Sequence, residues 1–147
     1  MREILFRGKR LDNGEWVYGS FIQVEHEDGS FTTAIFQKKD AGGDAEVSPA
    51  TVGQYTGLKD KNGKKIWEGD IIKMDNGKSS SIAVVKFGEY YPKMFYDMCF
   101  LPTKHLNANG FFAESNNHED MILFKSPFIE VIGNIHDNKL EDFDNGR

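Results

Sequence analysis

Apolar and polar positions alternate in short bursts along this chain, and clusters of Gly, Asn and Asp cut the bursts apart. Alternation with a period of two is the pattern of half-buried strands, and the clusters are turn chemistry. Ile4 and Phe6 before Asp12-Asn13-Gly14, and Trp16, Tyr18, Phe21 and Ile22 after it, predict a first pair of strands. Glu25 to Ser30 predicts a turn, and Phe31 to Gln37 the strand that leaves it. Residues 38–46 are rich in Lys, Asp, Ala and Gly and predict a mobile loop. Ser48-Pro49-Ala50-Thr51 suits either a helical turn with Pro at its first position or an extended link into Val52.

Residues 54–72 hold the sharpest local signal. Asn62-Gly63 suits a primed hairpin turn, because both residue types tolerate positive φ. Asp60 and its neighbouring lysines are expected to keep that tip in water. Ile66 and Trp67 open an apolar strand, Glu68-Gly69-Asp70 bends it, and Ile71-Ile72 resumes it. A glycine inside a strand marks a bulge or corner, and small barrels need corners to close. Glu68 and Asp70 are therefore expected to shape the corner by hydrogen bonding rather than to act as acid and base. Gly8, Asn13 and Gly14 precede Gly57, Asn62 and Gly63 by one constant offset, which reads as convergence on good turn chemistry rather than a repeat array.

Further on, Asp75 to Lys78 predicts a third turn and Ile82 to Phe87 a buried strand. Gly88 to Pro92 predicts a loop exposing Tyr90 and Tyr91, and residues 93–101 suit a strand or a short helix. Asn107 to Gly110 predicts a turn, residues 114–120 are polar, and Met121 to Phe124 and Phe128 to Ile135 predict the closing strands. The acidic tail from Asp137 predicts one helical turn and then fraying.

Tyr55-Thr56-Gly57-Leu58, Asp60-Lys61-Asn62-Gly63-Lys64, Ile66 and Glu68-Gly69-Asp70-Ile71-Ile72 together resemble the signature of the YopX family of phage and prophage proteins. Phe6-Arg7-Gly8-Lys9 with Trp16 and Gly19 resembles the start of that family, and Ile129 to His136 its close. Residues 74–125 resemble it only in strand character. The resemblance implies a mainly β fold, with an irregular N-terminal sheet subdomain over residues 1–56, an SH3-like barrel subdomain over 57–136 and an acidic tail over 137–147. It implies a phage or prophage setting in a bacterial cytoplasm and brings no catalytic residue.

Composition narrows the function. The chain has 147 residues and a formal net charge of −5, with the acidic excess concentrated after residue 80, unlike the basic footprint of a general nucleic-acid binder. Its 12 Phe, 5 Tyr and 2 Trp suit a strand-built core. The single Cys99 excludes an internal disulfide and reads as a buried thiol. The sequence has no signal-peptide pattern and no apolar run of transmembrane length, so a soluble, unexported chain without a membrane partner is expected.

No constellation points to catalysis, a metal or a cofactor. His26, His105, His118 and His136 lie far apart, and His118-Glu119-Asp120 reads as a solvated loop. The Asp60 and Asp142 strings lack the spacing of a calcium loop, and no phosphate loop or nucleophile elbow occurs. The candidate surface is the charged tip Lys59, Lys61, Lys64 and Lys65, with Tyr90 and Tyr91 as an aromatic loop. Beside Arg7, Lys9 and Arg10, with Tyr55 and Trp67, those lysines would form a basic aromatic rim of the sort single-strand binders use. The expected function is a non-enzymatic module that contacts a host protein or copies of itself. The alternative is a nucleic-acid binder using the lysine tips.

Overall fold

The computed structural model describes residues 2–37, 43–90, 108–116, 120–122 and 127–144. Turn residues with positive φ punctuate the chain, and between them β-branched and aromatic residues pair as antiparallel strands. The chain divides into two units, Met1–Gly57 and Leu58–Arg147.

In the first unit, β1 (Phe6–Lys9), β2 (Trp16–Glu25), β3 (Phe31–Phe36), β4 (Asp44–Glu46) and β5 (Gly53–Lys59) lie in the order β4-β3-β2-β1-β5. β5 runs on past Gly57 toward the second unit. Asp44–Glu46, expected as loop, is a strand because it pairs with Ala34–Phe36; of the rest of that predicted loop, Gly43 has positive φ and residues 38–42 lie outside the described residues. Pro49–Thr51 forms a 3₁₀ turn with Pro at its start, and the Ser48 side chain does not cap it.

Residues paired across strands share a face. Val17, Ile35 and Ala45 therefore point to one side, where they pack with Val47, Phe6 and Val52 as the core of this unit. The Phe6 and Phe21 rings extend it, with centroids 5.5 Å apart. Gly19 lets β2 and β3 close up, since a Cβ there would fall on the Phe36 carbonyl oxygen.

The second unit contains β6 (Lys65–Trp67), β7 (Asp70–Asp75), β8 (Ser80–Tyr90), β9 (Ala108–Ser115), β10 (Asp120–Ile122), β11 (Ile129–Asn134) and the single turn α1 (Glu141–Asp144). Its five-stranded antiparallel sheet has the order β10-β9-β8-β7-β11. Ile72, Ala83, Val85, Ala113, Ile129 and Val131 form one buried face, and Ile66 from β6 joins them. Each fully buried Ile here contributes roughly 2 kcal/mol by removal from water. A register shift between Val131 and Gly133 marks a bulge in β11.

Two expected breaks in this unit are strand instead. Gly88–Tyr90 continues β8 against Ala108–Gly110, so the predicted loop and the predicted turn pair with each other. Residues 93–101 and 123–126 lie outside the described residues, as do Cys99, His105, His118 and Glu119.

Candidate interaction surfaces

The lysine-bearing turn is built on a buried carboxylate. Asp60 N–H donates to the Lys64 carbonyl at 2.8 Å, and Gly63 N–H donates to the Asp60 carbonyl at 3.0 Å. Three residues, Lys61 to Gly63, lie between the closing pair, and Gly63 has φ +79°. This is the three-residue hairpin with a left-handed glycine rather than the expected two-residue primed turn.

The expectation of a wet tip holds for Lys59, Lys61 and Lys64 but not for Asp60, which is only 6% exposed. Its Oδ1 accepts the N–H groups of Asn62 and Lys64, each at 2.9 Å. Its Oδ2 accepts Val131 N–H from β11 at 3.0 Å. Burial alone would push this carboxyl up. The hydrogen bonds from Val131, Lys64 and Asn62, with the Lys64 charge, together outweigh it and hold the carboxyl below its ordinary 3.8. Lys61 N–H donates to the Ile129 carbonyl at 2.9 Å, so the turn is fastened to β11 twice.

With its backbone fixed, the turn presents Lys59, Lys61 and Lys64 to solvent, while Lys65 is half-buried at the start of β6. Lys61 Nζ lies 3.2 Å from Glu130 Oε2. The aromatic partners proposed for this tip do not join it as stacking platforms, because Tyr55 and Trp67 are both buried. After Trp67 the chain turns at Gly69, φ +89°. Asp70, fully buried, accepts Trp67 N–H at 2.8 Å, which makes it a corner-shaping group. Gly69 N–H donates to the Val85 carbonyl and Ile135 N–H to the Gly69 carbonyl, tying the corner to both neighbours.

In the first unit Arg7, Lys9 and Arg10 are engaged locally. The Arg7 guanidinium lies 4.5 Å from the centre of the Trp16 ring, and Lys9 Nζ lies 5.6 Å from it. Arg10 forms a two-point contact with Asp12, at 2.9 and 2.7 Å. Tyr90 is not on an exposed loop: it ends β8, buried, and stacks on Phe112 with centroids 4.9 Å apart. Tyr91 lies outside the described residues. His136 sits beside the Gly69 corner, and among the described residues no three His, Cys, Asp or Glu side chains gather as a metal site.

The surface that strand counting missed is the outer face of the first sheet. Tyr18, Ser20, Ile22 and Val24 alternate with the core-facing positions of β2, and Phe36 is opposite Ser20. Tyr18 is 49% exposed, Val24 48% and Phe36 43%, and Ile22 lies between them. The solvent side of an antiparallel sheet is ordinarily polar. Here it carries an apolar stripe, edged by the exposed Asp44 and Glu46 of β4. A signal was present: β2 has apolar residues at both odd and even positions, which exceeds what one buried face requires.

The sequence matches the family described as YopX protein over residues 5–141, and the chain belongs to that family. No curated protein matches it.

Proposed function

We propose that this chain is a non-enzymatic protein-interaction module of a phage or prophage, working in the bacterial cytoplasm on itself or on a host protein. The observation that supports this reading is the exposed apolar stripe of Tyr18, Ile22, Val24 and Phe36 on a sheet whose other face already holds the core. An apolar face beside a polar rim is the anatomy of a contact surface. The five-stranded unit, read as an SH3-like barrel, serves as scaffold, and that fold class by itself assigns no task.

Light scattering of the purified chain and affinity capture from a bacterial host lysate test the reading. A defined oligomer or one specific host protein is expected, and Val24→Ser with Phe36→Ser should abolish it. A monomer with empty captures removes the proposal.

A second reading, nucleic-acid binding, draws on the exposed Lys59, Lys61 and Lys64 of one turn. It predicts a mobility shift that weakens steeply with salt and is lost in Lys64→Glu with Lys65→Glu. The burial of Tyr55 and Trp67 removes the bases' stacking partners and favours the first reading.

A further inference from the structure

The β2–β3 hairpin ends in an exposed arm. From Gln23 to Phe31 every residue is exposed. The arm closes as the lysine turn does, with His26 N–H donating to the Ser30 carbonyl and Gly29 N–H to the His26 carbonyl. Asp28 Oδ1 accepts both the N–H and the hydroxyl of Ser30, so the tip has a defined shape. The tip is acidic, with Glu25, Glu27 and Asp28, and beside them stands Phe31, 57% exposed. An aromatic knob among carboxylates on an exposed hairpin is complementary to an apolar socket with cations near it.

The second unit has such a socket. Met74, Met121, Phe128 and Ile129 line a cavity of about 200 Å³, edged by Asp75, Asn76, Ser79 and Ser81. It opens at the end of the buried face formed by Ile72, Ala83 and Ile129, with Met74 and Met121 only partly buried there. The lysine turn adjoins it directly, because Lys61 N–H bonds to the carbonyl of Ile129, a lining residue. Lys61 and Lys73 face Glu130 and Asp75, and Lys59 and Lys64 are exposed on the same turn. The cavity has room for one aromatic side chain.

We propose that the β2–β3 arm of one copy docks on the second unit of another. Phe31 fills the Met74–Met121–Phe128 cavity while Glu25 and Glu27 face Lys59 and Lys64. This goes beyond the interaction reading above: it uses the hairpin arm, on the opposite face from the apolar stripe, and names the partner as a second copy. Donor and acceptor are different surfaces and each copy carries both, so reciprocal docking closes a two-fold dimer and one-way docking builds a ring or a filament.

Sedimentation equilibrium of the full chain is the test, with three variants whose changes lie on exposed positions. Phe31→Ser should weaken self-association at least tenfold, as loss of an anchoring aromatic does. Glu25→Lys with Glu27→Lys, and separately Lys59→Glu with Lys64→Glu, should each weaken it about tenfold, the effect fading with salt. Mixing the two charge-reversed proteins should restore assembly, because each then offers the other an opposite charge at both contacts.

A wild-type chain that stays monomeric overturns the docking, and host-protein capture then decides the wider reading by itself. A wild-type oligomer that none of the variants weakens overturns only the arm-and-turn contact. If the Lys59 and Lys64 reversals leave the oligomer intact while the arm reversals dissolve it, arms pair with arms and the proposal is wrong. Failure of the mixture to reassemble overturns the charge pairing in the same way.

Discussion

Asp12-Asn13-Gly14 in the β1–β2 hairpin and Asp60-Lys61-Asn62-Gly63 in the β5–β6 hairpin draw on the same turn chemistry, and both glycines take positive φ, +71° and +79°. The side-chain bonds of the first turn are local. Arg10 N–H closes on the Glu15 carbonyl, Asn13 Oδ1 accepts Glu15 N–H, and Asp12 faces Arg10 in solvent. In the second, the position corresponding to exposed Leu11 is Asp60, whose carboxylate is buried and reaches across to β11. Both turns reach a remote strand through the backbone, Leu11 N–H to the Glu46 carbonyl and Lys61 N–H to the Ile129 carbonyl, but the second adds a buried carboxylate to that fastening. The first closes over four residues and the second over three, and the side chain that sets them apart is Asp60.

That contrast is most exposed to Asp60→Asn. The amide keeps one oxygen, so an NH₂ must face either Val131 N–H or the Asn62 and Lys64 N–H groups. A charge-assisted bond is lost and a buried donor is left without an acceptor, at a cost of about 2–4 kcal/mol. Urea denaturation should show that loss. Asp12→Asn, in full solvent, should leave the midpoint where it was. Equal effects at the two positions would erase the distinction between the turns.

Acid separates them next. Asp60 is held below 3.8 in the folded chain, so its stabilisation is complete above that pH and is lost as pH falls through the folded value. Wild-type stability should therefore drop below about pH 4 more steeply than that of Asp60→Asn. Asp12 is also lowered, chiefly by its hydrogen bond to Arg10. Because it is in solvent, Asp12→Asn should retain the wild-type acid profile. Parallel curves for wild type and Asp60→Asn would show that the carboxylate does not fasten the turn.

How much of this was legible follows the reach of each interaction. Asn62-Gly63 and Asp75 to Lys78 announced their turns, because turn chemistry is local. The Gly69 corner was legible for the same reason. The burial of Asp60 was not: its Oδ2 partner is Val131, and nothing near Asp60 in the sequence reports that distant N–H. Tyr90 was misplaced because Gly88 reads as a loop residue, whereas its pairing with Gly110 keeps the strand going. The apolar stripe on β2 was written in Tyr18, Ile22 and Val24. Its meaning depended on knowing which side Val17, Ile35 and Ala45 had already taken.

A smaller effect tests whether the two glycines are truly alike. A Cβ on Gly14 or Gly63 would meet nothing within 4 Å, so only the left-handed conformation resists substitution. Gly14→Ala and Gly63→Ala should each cost roughly 1–2 kcal/mol, and by the same amount, when followed by thermal denaturation. A much larger loss at Gly63 would mean that its turn depends on the backbone as well as on Asp60.

The smallest expected change comes from transplanting the fastener. Leu11→Asp puts a carboxylate at the position matching Asp60, beside Asn13-Gly14. Leu11 is exposed and its own N–H donates to the Glu46 carbonyl. The N–H groups of Val47, which bridges to Arg10, and of Ser48 already bond to the Thr33 and Lys9 carbonyls, so neither plays the part of Val131 there. A solvated aspartate added to a turn changes stability by at most about 0.5 kcal/mol. Denaturation of Leu11→Asp should therefore match wild type, and a clear gain would show that turn chemistry alone recruits the carboxylate, with β11 incidental to what Asp60 does.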